Sequence, residues 1–106
     1  MSEQEIVELI SCAINATMTC RIRITGRARY RTLYGLVKQG YLIPLKERDN
    51  PAFDPNPLAG LNANTTLTLT EKGKAWILAL NPADFERITW FPRVQDVTDA
   101  QKRLGA

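Results

Sequence analysis

No histidine occurs among the 106 residues, and serine is confined to Ser2 and Ser11. The commonest general base is therefore absent, and with it any Ser/His or Cys/His pair for nucleophilic catalysis. Two cysteines, Cys12 and Cys20, are too few for a secreted disulfide framework. Without histidine they are also too few for a usual structural zinc site. No glycine-rich phosphate loop is present, because Gly26, Gly35 and Gly40 stand too far apart. Asp49, Asn50, Asp54 and Asn56 lack the spacing of a calcium loop. Asp84 and Glu86 fall on a short helix expected to be exposed, with nothing to desolvate them. The expectation is a protein that is not an enzyme and takes no cofactor or metal.

Long apolar runs are missing as well. The longest, Ala75 to Leu80, is far short of the ~20 residues needed to cross a bilayer. No secretory signal is read. These features predict a soluble, cytoplasmic protein without a membrane partner, in which Cys12 is a small buried hydrophobe. Length and the 44% hydrophobic content suit one domain with its own core.

Negative charge is absent where it matters most. Between Arg21 and Lys46 the chain carries Arg21, Arg23, Arg27, Arg29, Arg31, Lys38 and Lys46, and no acidic residue. Before Cys20 the only charged residues are Glu3, Glu5 and Glu8, and beyond Asn50 the balance is near zero. The formal net charge of +3 is thus concentrated in one block, as an electrostatic footprint for an anionic partner requires.

The pattern of residues predicts a sequence of short elements. Ser2 and Glu5 form a capping box ahead of a first helix with Ile6, Leu9, Ile10, Ala13 and Ile14 at helical spacing, ending by Asn15–Thr17. Thr19 to Thr25 alternates with period two, as a strand does. From Arg27 to Gln39 the helical period returns. Tyr30, Leu33, Tyr34 and Val37 share one side, and Ala28, Arg31, Thr32, Gly35 and Gln39 the other, with Lys38 at its edge. Gly40 fits as the left-handed residue that ends this helix, and Tyr41-Leu42-Ile43 starts a strand. Prolines and asparagines from Pro44 to Asn64 predict a long loop, of a kind that tends to be functional or mobile. Strand pattern resumes at Thr65 through Leu69, and Thr70 caps a helix to about Leu80. Asn81-Pro82 opens a short helix over Ala83–Ile88, and Thr98–Gln101 reads as a capping box for a last helix to Leu104.

Two pieces of this pattern carry a resemblance. Leu36-Val37-Lys38-Gln39-Gly40-Tyr41-Leu42 and Leu69-Thr70-Glu71-Lys72-Gly73 together resemble the winged helix-turn-helix proteins of the MarR and PadR type. There a recognition helix ends on a leucine–glycine–hydrophobic pattern, a wing hairpin follows, and its return strand enters a helix at leucine-threonine-x-lysine-glycine. The likeness spans Tyr30 to Trp76, under half of the chain. The family's second short helix has no counterpart, since the arginine-rich strand Cys20–Thr25 stands in its place, and the wing is longer than usual. The resemblance implies an α+β winged-helix fold with a small antiparallel sheet, a long wing and additional C-terminal helices. The domain core would run over about residues 3–80, with a helical extension over about 81–106.

It further implies double-stranded DNA as partner, in the manner of a transcriptional regulator or accessory factor. The segment Ala28 to Gln39 would enter the major groove and Lys46 to Asn64 would form the wing. Arg27, Arg29, Arg31 and Lys38 would then meet phosphates, Thr32 and Gln39 base edges, and Ala28 and Gly35 would allow close approach. The alternative for the same cations is a solvated helix surface. Arg21 and Arg23 on the strand, and Lys46 and Arg48 where the wing leaves the sheet, read equally as phosphate contacts or as charges protecting strand edges. Trp76, Trp90 and Phe91 read as core or dimer contacts before base-stacking residues. A homodimer is expected if one domain covers a half-site. A second class of function stays open: a winged-helix interaction module for an acidic protein partner, such as a polymerase or replication factor. A third is a single-strand or RNA binder built on Tyr30 and Tyr34.

Overall fold

The computed structural model of the chain describes residues 1–14, 21–24, 27–44, 58, 61 and 65–105. Its elements are helix α1 (Glu3–Ile14), strand β1 (Arg21–Arg23), helix α2 (Arg27–Lys38), strands β2 (Leu42–Pro44) and β3 (Thr66–Leu69), helix α3 (Glu71–Leu78), a 3₁₀ turn (Pro82–Phe85) and helix α4 (Val94–Gly105). The architecture is α+β. Among the described residues no helix is long and apolar enough to cross a membrane.

The local chemistry at each helix start explains where it begins. In α1 the capping box closes in both directions: the Glu5 N–H donates to Ser2 Oγ at 3.2 Å and the Ser2 N–H to Glu5 Oε1 at 3.1 Å. Thr70 caps α3 by accepting the Gly73 N–H at 3.0 Å, and Asn81 caps the 3₁₀ turn through the Ala83 N–H at 3.1 Å. The sheet has the order β1-β3-β2 and is antiparallel throughout. Ile22 pairs with Leu67, and Leu42 with Leu69. Alternation along β3 buries Leu67 and Leu69 while Thr66 and Thr68 stay partly accessible.

The core joins every element. Leu9, Ile10, Cys12 and Ala13 of α1 meet Ile22, Ile24, Leu33, Leu36, Val37, Leu42, Leu67, Leu69 and Ile77, and the same cluster takes in Phe85, Val97 and Ala100. The segment expected as an extension beyond residue 80 therefore shares the core of residues 3–80, with α4 packed on α1 and α3. Cys12 is buried, as its position on the apolar side of α1 predicts.

Several boundaries differ from the sequence reading. The last helix begins at Val94 rather than at Thr98, because Asp96 Oδ2 accepts the Arg93 N–H at 2.8 Å and supplies the capping interaction one turn earlier. Thr98 sits inside that helix, and its hydroxyl donates to the Val94 carbonyl at 2.9 Å. The segment after Asn81 forms a 3₁₀ turn ending at Phe85, not an α-helix to Ile88. Helix α3 stops at Leu78, where Gln101 of α4 donates to the Ile77 and Leu80 carbonyls at 3.0 and 2.7 Å and satisfies the helix end from outside. Of the segments expected as the end of the first helix (Asn15–Thr17), the outer residues of the first strand (Thr19, Cys20, Thr25) and the wing (Lys46–Asn64), only Leu58 and Leu61 fall within the described residues.

Candidate nucleic-acid interface

Helix α2 is seated by its C-terminal end. Gly40 adopts φ 86°, the left-handed conformation that a side chain resists, and the Gly40 and Tyr41 N–H groups return to the Val37 and Leu36 carbonyls at 3.0 and 2.9 Å. The start of α3 then closes over this turn. Thr70 Oγ1 donates to the Gly40 carbonyl at 2.5 Å while accepting from Gly73, and the Thr70 N–H donates to the Tyr41 carbonyl at 3.1 Å. Lys72 Nζ donates to the Gln39 carbonyl at 2.8 Å and lies 4.7 Å from the centre of the Tyr41 ring. A cation at the carbonyl end of a helix also complements its dipole. Gly73 is buried, and a Cβ there would stand 2.3 Å from the Tyr41 carbonyl oxygen. The two pieces of sequence, Gly40-Tyr41 and Thr70-Glu71-Lys72-Gly73, are therefore one physical unit that fixes where α2 projects.

From that anchor α2 presents three different sides. Leu33, Leu36 and Val37 enter the core. Arg31 and Lys38 are exposed; seven residues apart, they lie nearly in line along the helix, and Arg27 occupies the same line by its position. Gly35 lies beside this row and is partly accessible. Tyr30 and Tyr34 flank it on one side as half-buried rings with centroids 5.9 Å apart, and the Tyr30 hydroxyl donates to the Leu61 carbonyl at 3.3 Å.

The other flank is occupied by α1. Gln39 Nε2 donates to Glu5 Oε2 at 2.7 Å and to the Gly35 carbonyl at 3.0 Å. The Thr32 hydroxyl donates to Gln4 Oε1 at 3.4 Å. Arg29 forms a two-pronged ion pair with Glu8, through Nε at 3.1 Å to both oxygens and Nη2 at 2.9 Å to Oε2. Burial works to raise the pKa of Glu5, but hydrogen bonds from Ser2 and Gln39 and the nearby amino terminus outweigh it, and the carboxyl lies below its ordinary value.

The sequence-predicted residues thus divide. Arg31 and Lys38 remain open on a common row. Arg29, Thr32 and Gln39 are engaged by α1. Periodicity within α2 ranks these residues by angle but carries no information on which neighbour comes alongside, so the contacts from Gln4, Glu5 and Glu8 were not anticipated. A signal was present in the charges, since α1 carries three glutamates and no cation while the arginine run that follows it has no acid of its own. Arg21 and Arg23 lie on edge strand β1, opposite Thr68 and Thr66 in the register. Lys46 and Arg48 lie outside the described residues, as do the side chains of Arg21, Arg23, Arg27 and Ala28.

Among the described residues no group of three His, Cys, Asp or Glu side chains converges as a metal site. Trp76 packs edge-on against Tyr41 with centroids 6.2 Å apart, whereas Trp90 is 71% exposed. No protein-family model, curated protein or solved structure matches this chain.

Proposed function

We propose that the protein is a small winged-helix DNA-binding protein that docks α2 on duplex DNA, as a transcriptional regulator or accessory factor. The observation that carries this reading is the exposed row of α2, whose described charges, Arg31 and Lys38, are both cationic and lie on the helix just ahead of β2. The first turn of α2 contains no acid of its own, so a cation there opposes the positive end of the helix dipole, a local cost that Glu8 offsets at Arg29 and an anionic partner would offset further. A helix of ~10–12 Å diameter matches a major groove ~12 Å wide. The strand order, with β3 between β1 and β2 and running into Thr70–Gly73, is consistent with the return strand of a wing hairpin.

Affinity from such a surface is largely counterion release, so it falls steeply with salt. The test is titration of random-sequence duplex DNA at several salt concentrations, with the wild type and with Arg31→Ala/Lys38→Ala. Loss of two phosphate contacts lowers the slope of log affinity against log salt by about 1.8. Undetectable duplex binding at low salt, or a slope indifferent to the double substitution, rejects the reading. Dimerisation belongs to the same proposal. Since the apolar face of α1 is spent on the core, the exposed Trp90 region is the better candidate for that interface. Trp90 and the exposed Leu78 also favour the second reading, a winged-helix module for an acidic protein partner. That reading predicts retained function in the absence of any duplex affinity.

A further inference from the structure

The contact between α1 and α2 sets what Gln39 offers to a ligand. Both atoms facing its side-chain nitrogen, Glu5 Oε2 and the Gly35 carbonyl oxygen, are acceptors, so the amide must turn its NH₂ group toward them. The two hydrogens of that group are then spent. The Gln39 main chain is fixed as well, with its N–H on the Gly35 carbonyl at 3.0 Å and its carbonyl on Lys72 at 2.8 Å. The carbonyl oxygen Oε1 is left as the side chain's remaining hydrogen-bonding group, on an exposed residue at the end of the proposed recognition helix.

We infer that Gln39 is a specificity-determining residue held by Glu5 as an acceptor-only reader of an exocyclic amine, the N4 amine of cytosine or the N6 amine of adenine, in the major groove. This rests on the duplex-binding reading and goes beyond it. A free glutamine amide donates and accepts together and selects adenine in a two-point contact. With the NH₂ group withheld, that contact is closed. Guanine and thymine present oxygen acceptors in the groove and oppose Oε1, whereas cytosine and adenine each present a donor. The preset side chain also loses little rotamer freedom on binding. The depressed pKa of Glu5 is in keeping with this role, because an ionised carboxylate has no proton with which to satisfy Oε1 instead.

The experiment is selection of bound duplexes from a random library by the wild type, Gln39→Ala and Glu5→Ala, with circular dichroism confirming that each is folded. The wild type is expected to select cytosine or adenine at one position, on the order of tenfold over guanine and thymine. Gln39→Ala loses that preference and keeps the others. Glu5→Ala narrows it toward adenine, because the released amide regains its donor. A Gln39-dependent position that separates cytosine and adenine from guanine and thymine on neither strand, such as one choosing purine over pyrimidine or A·T over G·C pairs, overturns the inference. So does an unchanged preference in either variant. Tight wild-type binding without sequence preference overturns it too, while leaving the duplex reading intact. Absence of any duplex binding removes both. Independently of DNA, the Gln39 side-chain amide protons should be shifted and protected in NMR spectra of the wild type and released in Glu5→Ala. Spectra identical in the two proteins overturn the assignment of Glu5 as the holding group.

Discussion

Helix α2 is held at two junctions made of different material. Against α3 the contacts are mainly backbone carbonyls, one hydroxyl and a glycine with no room for a methyl group, with Lys72 alone reaching across by a long side chain. Against the start of α1 they are side chains: Gln39 on Glu5 and Thr32 on Gln4 at the surface, and Arg29 on Glu8 part-buried. Short groups and backbone tolerate no displacement, so the first junction sets the direction of the helix. Side chains that reach across from another helix leave the backbone more room to adjust, so the second contributes less to position. It determines instead which polar atoms and charges α2 shows to a partner. Substitutions at the two junctions should accordingly separate stability from binding.

The largest effect is expected at Gly73. A methyl group there meets the Tyr41 carbonyl oxygen at 2.3 Å, and that atom belongs to the backbone, so α3 must move away from the Gly40 turn. Overpacking of this kind costs roughly 3 kcal/mol. Gly73→Ala should lower the thermal midpoint by well over 10 °C in a domain of this size. A midpoint within a few degrees of wild type would show that the junction gives way easily and is no stiffer than the one with α1.

Thr70→Ala is next. It removes the cap of α3 and the donor to the Gly40 carbonyl in one step. The expected loss is about 1–2 kcal/mol, read from denaturant unfolding at unchanged slope. Thr70→Ser, which keeps the hydroxyl, should recover most of it. Failure of serine to do so would assign the effect to methyl packing rather than to the two hydrogen bonds.

These two residues also mark how far the sequence could be read. Gly40 and Thr70 were legible because the roles read for them are local, a left-handed turn and a cap, whereas the close approach of Gly73 to Tyr41 joins segments distant in sequence. The strands were legible from alternation, and the burial of Leu67 and Leu69 follows directly from it. The start of α4 was not, because Thr98–Gln101 and Arg93–Asp96 are both plausible caps and burial of Val97 decides between them. The candidate site was legible in part. Arg31 and Lys38 were placed by helical angle alone, whereas the engagement of Arg29, Thr32 and Gln39 depends on α1, whose approach is set by Leu9, Ile10 and Ala13 in the core. Pairings between distant segments are decided by packing, and periodicity within one segment does not contain them.

Gly35 offers a smaller effect of opposite sign. A Cβ there would lie 3.8 Å from Glu5 Oε2 and 3.9 Å from Gln39 Nε2, both ordinary contacts. Gly35→Ala should stabilise the protein by up to about 1 kcal/mol through helix propensity alone. If the row beside it meets a phosphate backbone, the same methyl group should weaken duplex binding severalfold despite the stabler fold. A stabler protein with unchanged binding would move the ligand away from this side of α2. A destabilised one would show that the α1 junction is tighter than its side chains suggest.

The smallest effect tests the second junction by charge. Burial tends to raise the Glu5 pKa, yet its hydrogen bonds to Ser2 and Gln39 and the amino-terminal charge bring it below the ordinary value. A carboxyl depressed on folding adds stability above its unfolded pKa, and that contribution is lost as the pH falls through its folded pKa. The window therefore opens on the acid side of the ordinary glutamate value, near pH 4 and below. Glu5→Gln retains an acceptor for Gln39 and a capping residue for α1 but cannot titrate. Wild type should be slightly the more stable at neutral pH, and the difference should fade as the pH falls below the ordinary glutamate range. The contacts that Thr70 itself makes are between its hydroxyl, backbone N–H groups and carbonyls, none of which titrates, so Thr70→Ala should show the same deficit across that range. A Glu5→Gln difference that persists into acid would mean that the glutamate acts through packing and not through charge. The two junctions would then differ in tightness only, and Glu5 would lose its claim to set the face that Gln39 presents.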